Sequence, residues 1–116
     1  MTVNTAPILD FYYDFGSPNA YFAREALKGV SARTGLIVKE YPVLIGGIFK
    51  LTNNQPPWMA HAGCKPKMAY MMLEIQRFVA DYKLTAFQFN AAFPVNTLLP
   101  MRAATAAFEA GVHDTF

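Results

Sequence analysis

Ser17 is the residue in this chain whose neighbourhood points most directly to chemistry. It follows an apolar, aromatic run, Ile8 to Tyr13, and a break at Asp14-Phe15-Gly16, and it stands immediately before Pro18. Serine is a favoured helix N-cap and proline is favoured at the first helical position. The opening N–H groups of a helix lack partners inside it, and the macrodipole adds about half a positive charge there. An anion lying against Ser17 would meet donors and a favourable field together. A thiolate is such an anion, because thiol pKa values near 8.5 fall to roughly 3.5–7.5 at helix N-termini and beside cations. The chain has no thiol at that position, so sulfur chemistry there requires a borrowed one. The plainer reading is that Ser17 only caps the helix, and the local pattern alone favours it.

Other chemistries find less support. The single cysteine, Cys64, leaves no internal disulfide and fits a reducing compartment. A dithiol oxidoreductase needs two sulfurs, and Ser17-Pro18-Asn19-Ala20 stands where such proteins carry Cys-x-x-Cys. His61 and Cys64 have no second pair at zinc spacing, so no metal site is expected. Ser17 has no evident histidine partner, and no Gly-x-Gly-x-x-Gly or phosphate loop occurs.

The elements that must position Ser17 are legible. Ile8–Tyr13 reads as a buried strand, and Ala20, Ala23, Leu27 and Val30 recur at helical spacing from about Pro18 to Ala32. Gly35 is a natural stop. Leu36 to Leu44 reads as a second strand, parallel to the first after a crossover of this length and interrupted by Pro42. Residues 45 to 63 form a loop zone with breakers at Gly46-Gly47, Asn53-Asn54 and Pro56-Pro57, and one helical turn at Ile48–Leu51. A long helix from Pro66 to about Lys83 carries Met68, Met71, Met72, Ile75, Val79 and Tyr82 on one face, read first as packing and second as a substrate wall. A last helix runs from about Leu98 to Ala110, capped by Thr97 or Asn96 and stopped by Gly111.

With 116 residues, 53% hydrophobic and 16% charged, the chain is neither disordered nor long enough for several domains. No apolar run reaches membrane-span length, and a net charge of +2 without basic clusters argues against nucleic acid. Residues 1–7 lack a basic n-region and apolar core, so the expected address is cytoplasmic. The high apolar fraction implies either a sticky surface or one covered by oligomerisation or by a missing partner segment, and a homodimer is the expected assembly.

Asp10-Phe-Tyr-Tyr-Asp-Phe-Gly-Ser-Pro-Asn-Ala-Tyr21 resembles the N-terminal motif of the 2-hydroxychromene-2-carboxylate isomerase and kappa-class glutathione transferase family, within the DsbA-like thioredoxin superfamily. Gly46-Gly-Ile-Phe-Lys-Leu-Thr-Asn-Asn-Gln-Pro-Pro57 and Phe93-Pro-Val-Asn-Thr-Leu98 resemble it too, in the same order. The resemblance implies an α/β fold: a thioredoxin-like β-α-β unit, residues 1–45, followed by a loop and helical insertion, residues 46–116. The second half of the thioredoxin fold, with its cis-proline loop, has no counterpart before Phe116. It also implies glutathione as the source of the sulfur. Ser17 would donate a hydrogen bond to it, Asn54 would contact the tripeptide, and Lys50 and Asn96 would lie at the same site. Lys50 reads equally as a solvated charge, and Asn96 as a cap. In the isomerase branch the thiolate adds reversibly to a conjugated double bond of a small aromatic substrate, of chromene carboxylate or benzylidenepyruvate type. In the transferase or peroxidase branch it attacks an electrophile. The remaining alternative is a catalytically idle thioredoxin-like fragment serving as a dimerisation or binding module.

Overall fold

The structure, a computed structural model, describes residues 5–115. Residues 1–4 of the expected polar lead, and Phe116, lie outside them. Strand β1 (Ile8–Tyr13) leads into helix α1 (Pro18–Thr34), and strand β2 (Ile37–Pro42) pairs with β1 in parallel, Ile8 opposite Ile37 and Tyr12 opposite Tyr41. Helices α2 (Ile45–Leu51), α3 (Pro57–Ala60), α4 (Lys65–Asp81) and α5 (Leu98–Glu109) follow. The expected α/β architecture, a parallel β-α-β pair followed by helices, is the one observed.

The chain divides into two compact units, one of residues 1–45 with 94–116 and the other of residues 46–93. In the first, α1 and α5 both pack on β2. Arg24 on α1 pairs with Glu40 on β2 at 2.8 Å, and Tyr41 meets Phe108 of α5 with ring centroids 5.9 Å apart. The buried apolar side chains are Phe22 from α1 and Met101, Ala104 and Ala107 from α5. The last two are small residues, which let a helix backbone approach the sheet closely.

The expectation of a buried first strand is corrected. Ile8 is 57% exposed and Tyr12 61%. An apolar run shows that a strand is fit to be covered, not that a neighbour covers it, and here α1 and α5 lie on β2. The short helix α3 was also missed, because Pro56-Pro57 reads as a breaker although proline opens a helix well. On α4, Met68, Met71, Ile75 and Val79 of the expected stripe are half-buried, whereas Met72 and Tyr82 are exposed. Phe78 is half-buried as well and stacks on Tyr82 at 4.2 Å.

The ends of α1, α2, α4 and α5 follow one pattern. Gly35 and Gly111 take left-handed backbone, φ 72° and 71°, just past α1 and α5, as expected of stops. Asn53 does the same after α2 and Lys83 after α4, at φ 52° and 54°. At both, the crossed bonds of a Schellman turn close: Asn54 N–H to the Phe49 carbonyl at 2.8 Å, and Leu84 N–H to that of Val79 at 2.9 Å. Asparagine tolerates this conformation, whereas a lysine there carries a steric cost of about 1 kcal/mol. Lys83→Gly is therefore expected to stabilise the unit of residues 46–93 by about 0.5 kcal/mol after the added flexibility of the unfolded chain is subtracted. A higher urea midpoint with an unchanged slope is the result to look for.

Candidate functional site

The start of α1 is built as its sequence implies. Ser17 has extended backbone, φ −107° and ψ 108°, and its Oγ accepts from the Ala20 N–H at 3.2 Å, with Pro18 at the first helical position. Ser17 is half-buried, and among the described residues its hydroxyl proton has no acceptor. Pro18 has no N–H, and the Asn19 N–H has no partner among the described residues. The first turn carries no acidic residue. These groups fit a thiolate: a hydroxyl with a proton to give, an open backbone donor, and the positive end of a 17-residue helix.

The loop before Ser17 is held by a group that the sequence reading overlooked. Asp14, 3% exposed, accepts through Oδ1 from Gly16 N–H at 2.7 Å. Its Oδ2 accepts from Ile45 N–H at 2.8 Å and from the Thr97 hydroxyl at 3.0 Å. Its backbone carbonyl accepts from Ser17 N–H at 3.0 Å. One side chain thereby joins the end of β1, the start of α2 and the start of α5. Phe15 N–H is turned toward Met101 Sδ at 3.3 Å. A side chain at Gly16 would be crowded, since a Cβ there would stand 3.1 Å from Thr97 Cγ2 and 3.2 Å from Asp14 Oδ1. The available signal was an acidic residue beside a glycine at a strand's end. Its partners at Ile45 and Thr97 are 31 and 83 residues away and could not be read from that signal.

The other expected residues occupy local roles. Asn96 Oδ1 accepts from Leu98 N–H at 3.0 Å, the geometry of a capping group. Thr97 stands at the N-cap position but makes no side-chain cap bond, because its hydroxyl is turned to Asp14. Lys50 lies exposed in the last turn of α2. Asn54 follows the turn closed by Asn53, exposed, with its Oδ1 accepting from Gln55 N–H at 2.8 Å. Ser17 and Asn96 belong to the first unit, Lys50 and Asn54 to the second. Among the described residues no group of three metal-ligating side chains occurs, and no helix is long and apolar enough to cross a membrane.

An open groove of about 280 Å³ runs between the end of β2 and α5. Pro42, Val43 and Leu44 form one side, Leu98, Met101 and Arg102 the other, and Ser17 is not part of its wall. Met101 is shared between this groove and the loop that carries Ser17.

At the end of β1 the Tyr13 hydroxyl is pushed above the ordinary tyrosine pKa, first by burial and then by the negative charge of Glu40, with Arg24 opposing. The folded state thus holds this proton more tightly than the unfolded chain. The resulting stability is whole below the ordinary value of about 10 and is lost as pH rises through the folded value. Urea midpoints should fall at alkaline pH above about 10, and the fall should be shallower in Tyr13→Phe.

The DSBA-like thioredoxin domain matches residues 8–116. The chain belongs to this family. It is 32% identical over 85 residues to 2-hydroxychromene-2-carboxylate isomerase of Sphingobium xenophagum, covering 73% of this chain and 42% of that protein. It is 31% identical over 72 residues to glutathione S-transferase kappa 1 of Caenorhabditis elegans, covering 61% of this chain and 30% of that protein. The matched region spans less than half the length of either relative. No solved structure matches the chain. This family member has neither thiol of a Cys-x-x-Cys pair at the start of α1, where Ser17-Pro18-Asn19-Ala20 stands.

Proposed function

We propose that this DSBA-like thioredoxin protein is a glutathione-dependent isomerase acting on a small aromatic compound of the chromene carboxylate or benzylidenepyruvate type. The observation that carries the proposal is the start of α1: a half-buried N-cap hydroxyl with its proton unclaimed, beside an open Asn19 N–H. The similarity to an isomerase and to a glutathione transferase supports the same reading. Bound there, glutathione would supply a nucleophilic sulfur able to add to a conjugated double bond and leave again. Ser17 donates to that sulfur and stabilises its ionised form. A charge-assisted hydrogen bond is worth roughly 1.5–3 kcal/mol, equivalent to about one or two pKa units, enough to keep much of a thiol ionised near neutral pH. In this proposal Asn54, Lys50 and Asn96 contribute contacts to the tripeptide.

Calorimetric titration of the chain with glutathione is the direct test. Saturable heat is expected, and its absence from folded protein overturns the proposal. Product analysis then separates two chemistries, because an isomerase returns glutathione unchanged whereas a transferase consumes it. A second reading, a dimerisation or binding module, is favoured by the exposure of Ile8, Tyr12 and Ile37 on the sheet. It predicts a sedimentation mass of twice 12.9 kDa without any glutathione response, whereas the same dimer with a response fits the enzyme.

A further inference from the structure

We infer that Asp14 is a positioning residue for Ser17, holding the Gly16–Ser17 turn at the setting in which the Ser17 hydroxyl meets a bound thiolate. The inference deepens the glutathione reading and rests on it. A buried carboxylate is costly unless donors surround it, and here three donors do. The bonds that tie the segments together also fix the turn ahead of Ser17. What the carboxylate does here is geometric. Oδ1 grips the Gly16 N–H while Oδ2 is anchored to two distant segments through Ile45 N–H and the Thr97 hydroxyl. The Asp14 carbonyl takes the Ser17 N–H from the same residue. Thr97 Cγ2 packs beside Gly16, where it would stand 3.1 Å from an added Cβ. The residue directly before Ser17 is thus held through its N–H, and Ser17 through its own.

Charge and position make opposite predictions, which gives the test its force. Removing a negative charge near a thiolate lowers the thiol pKa, whereas loosening the turn withdraws the Ser17 hydrogen bond and raises it. Asp14→Asn keeps the shape, but its amide must turn a donor toward either Gly16 N–H or Ile45 N–H. Amide hydrogen exchange at Ala20, and at whichever of Gly16 and Ile45 loses its acceptor, should then quicken about tenfold, while amides in the middle of α1 stay unchanged. Glutathione affinity should fall about tenfold, and the bound thiol's ultraviolet titration should move to higher pH. In a Ser17→Ala background, Asp14→Asn should add little further loss, since both changes remove one contact.

Unchanged exchange at both Gly16 and Ile45, a bound thiol pKa that falls or stays, or a full additional loss in the Ser17→Ala background overturns the inference. If the unsubstituted chain binds no glutathione while Gly16 or Ile45 exchange still quickens in Asp14→Asn, the glutathione reading has failed and Asp14 is a clamp on the turn alone. Should Asp14→Asn not fold by circular dichroism, Gly16→Ala decides. Its Cβ crowds both Thr97 Cγ2 and Asp14 Oδ1 and displaces the turn while the negative charge stays, and the same rise in thiol pKa is required of it.

Discussion

Ser17→Ala is expected to lower glutathione affinity and turnover by about tenfold to a hundredfold, the equivalent of one charge-assisted hydrogen bond. Alanine also removes the acceptor for the Ala20 N–H and so costs about 1 kcal/mol of stability as a lost N-cap. The two effects need to be separated, and Ser17→Asp does this. Aspartate caps as well as serine and adds a favourable charge at the helix start, so thermal stability should be kept or raised. The same charge repels a thiolate, so glutathione binding should be lost. Stability retained with binding abolished identifies an anion site at the start of α1. If Ser17→Asp binds glutathione as well as the parent, the sulfur is not placed there.

The second large effect concerns the core. Phe22 is 4% exposed and is the single buried side chain of α1. Phenylalanine to alanine in a packed interior typically costs about 3–5 kcal/mol, counting both lost transfer and the cavity left behind. Small domains hold only about 5–15 kcal/mol in total, so the change removes a large share of the margin. Urea unfolding of Phe22→Ala should show a midpoint lowered by at least about a fifth. Phe22→Leu, which keeps most of the volume, should recover more than half of the loss. Little loss in either variant would mean that α1 is held by its Arg24–Glu40 pair and not by burial.

Much of the frame was legible because its signals are local. The Ser17-Pro18 start and the Gly35 stop of α1, and the Gly111 stop of α5, act through backbone geometry within a few residues, and each stands where expected. The parallel pairing of β1 with β2 follows from the length of the crossover between them. What was not legible depends on partners far along the chain. Asp14 looks like an ordinary turn residue until Ile45 and Thr97 are brought to it. Thr97 was read with Asn96 as a candidate cap because it directly precedes the helix, whereas the competing acceptor 83 residues earlier was not visible. The exposure of β1 was missed for a related reason, since apolar residues report what a strand can bury and not what lies on it. Lys83 as a helix stop ran against preference, because the Leu84 N–H bond to the Val79 carbonyl closes the turn whichever side chain sits between.

The tie between Asp14 and Thr97 also sets an order of events during folding. Helix α1 and its cap are written within twenty residues, but the turn ahead of it is secured only when a segment emerging much later has docked. Closing so long a loop is slow compared with forming a helix. In refolding experiments, far-ultraviolet helix signal should therefore return first and competence to capture glutathione afterwards, with the lag set by the arrival of Thr97.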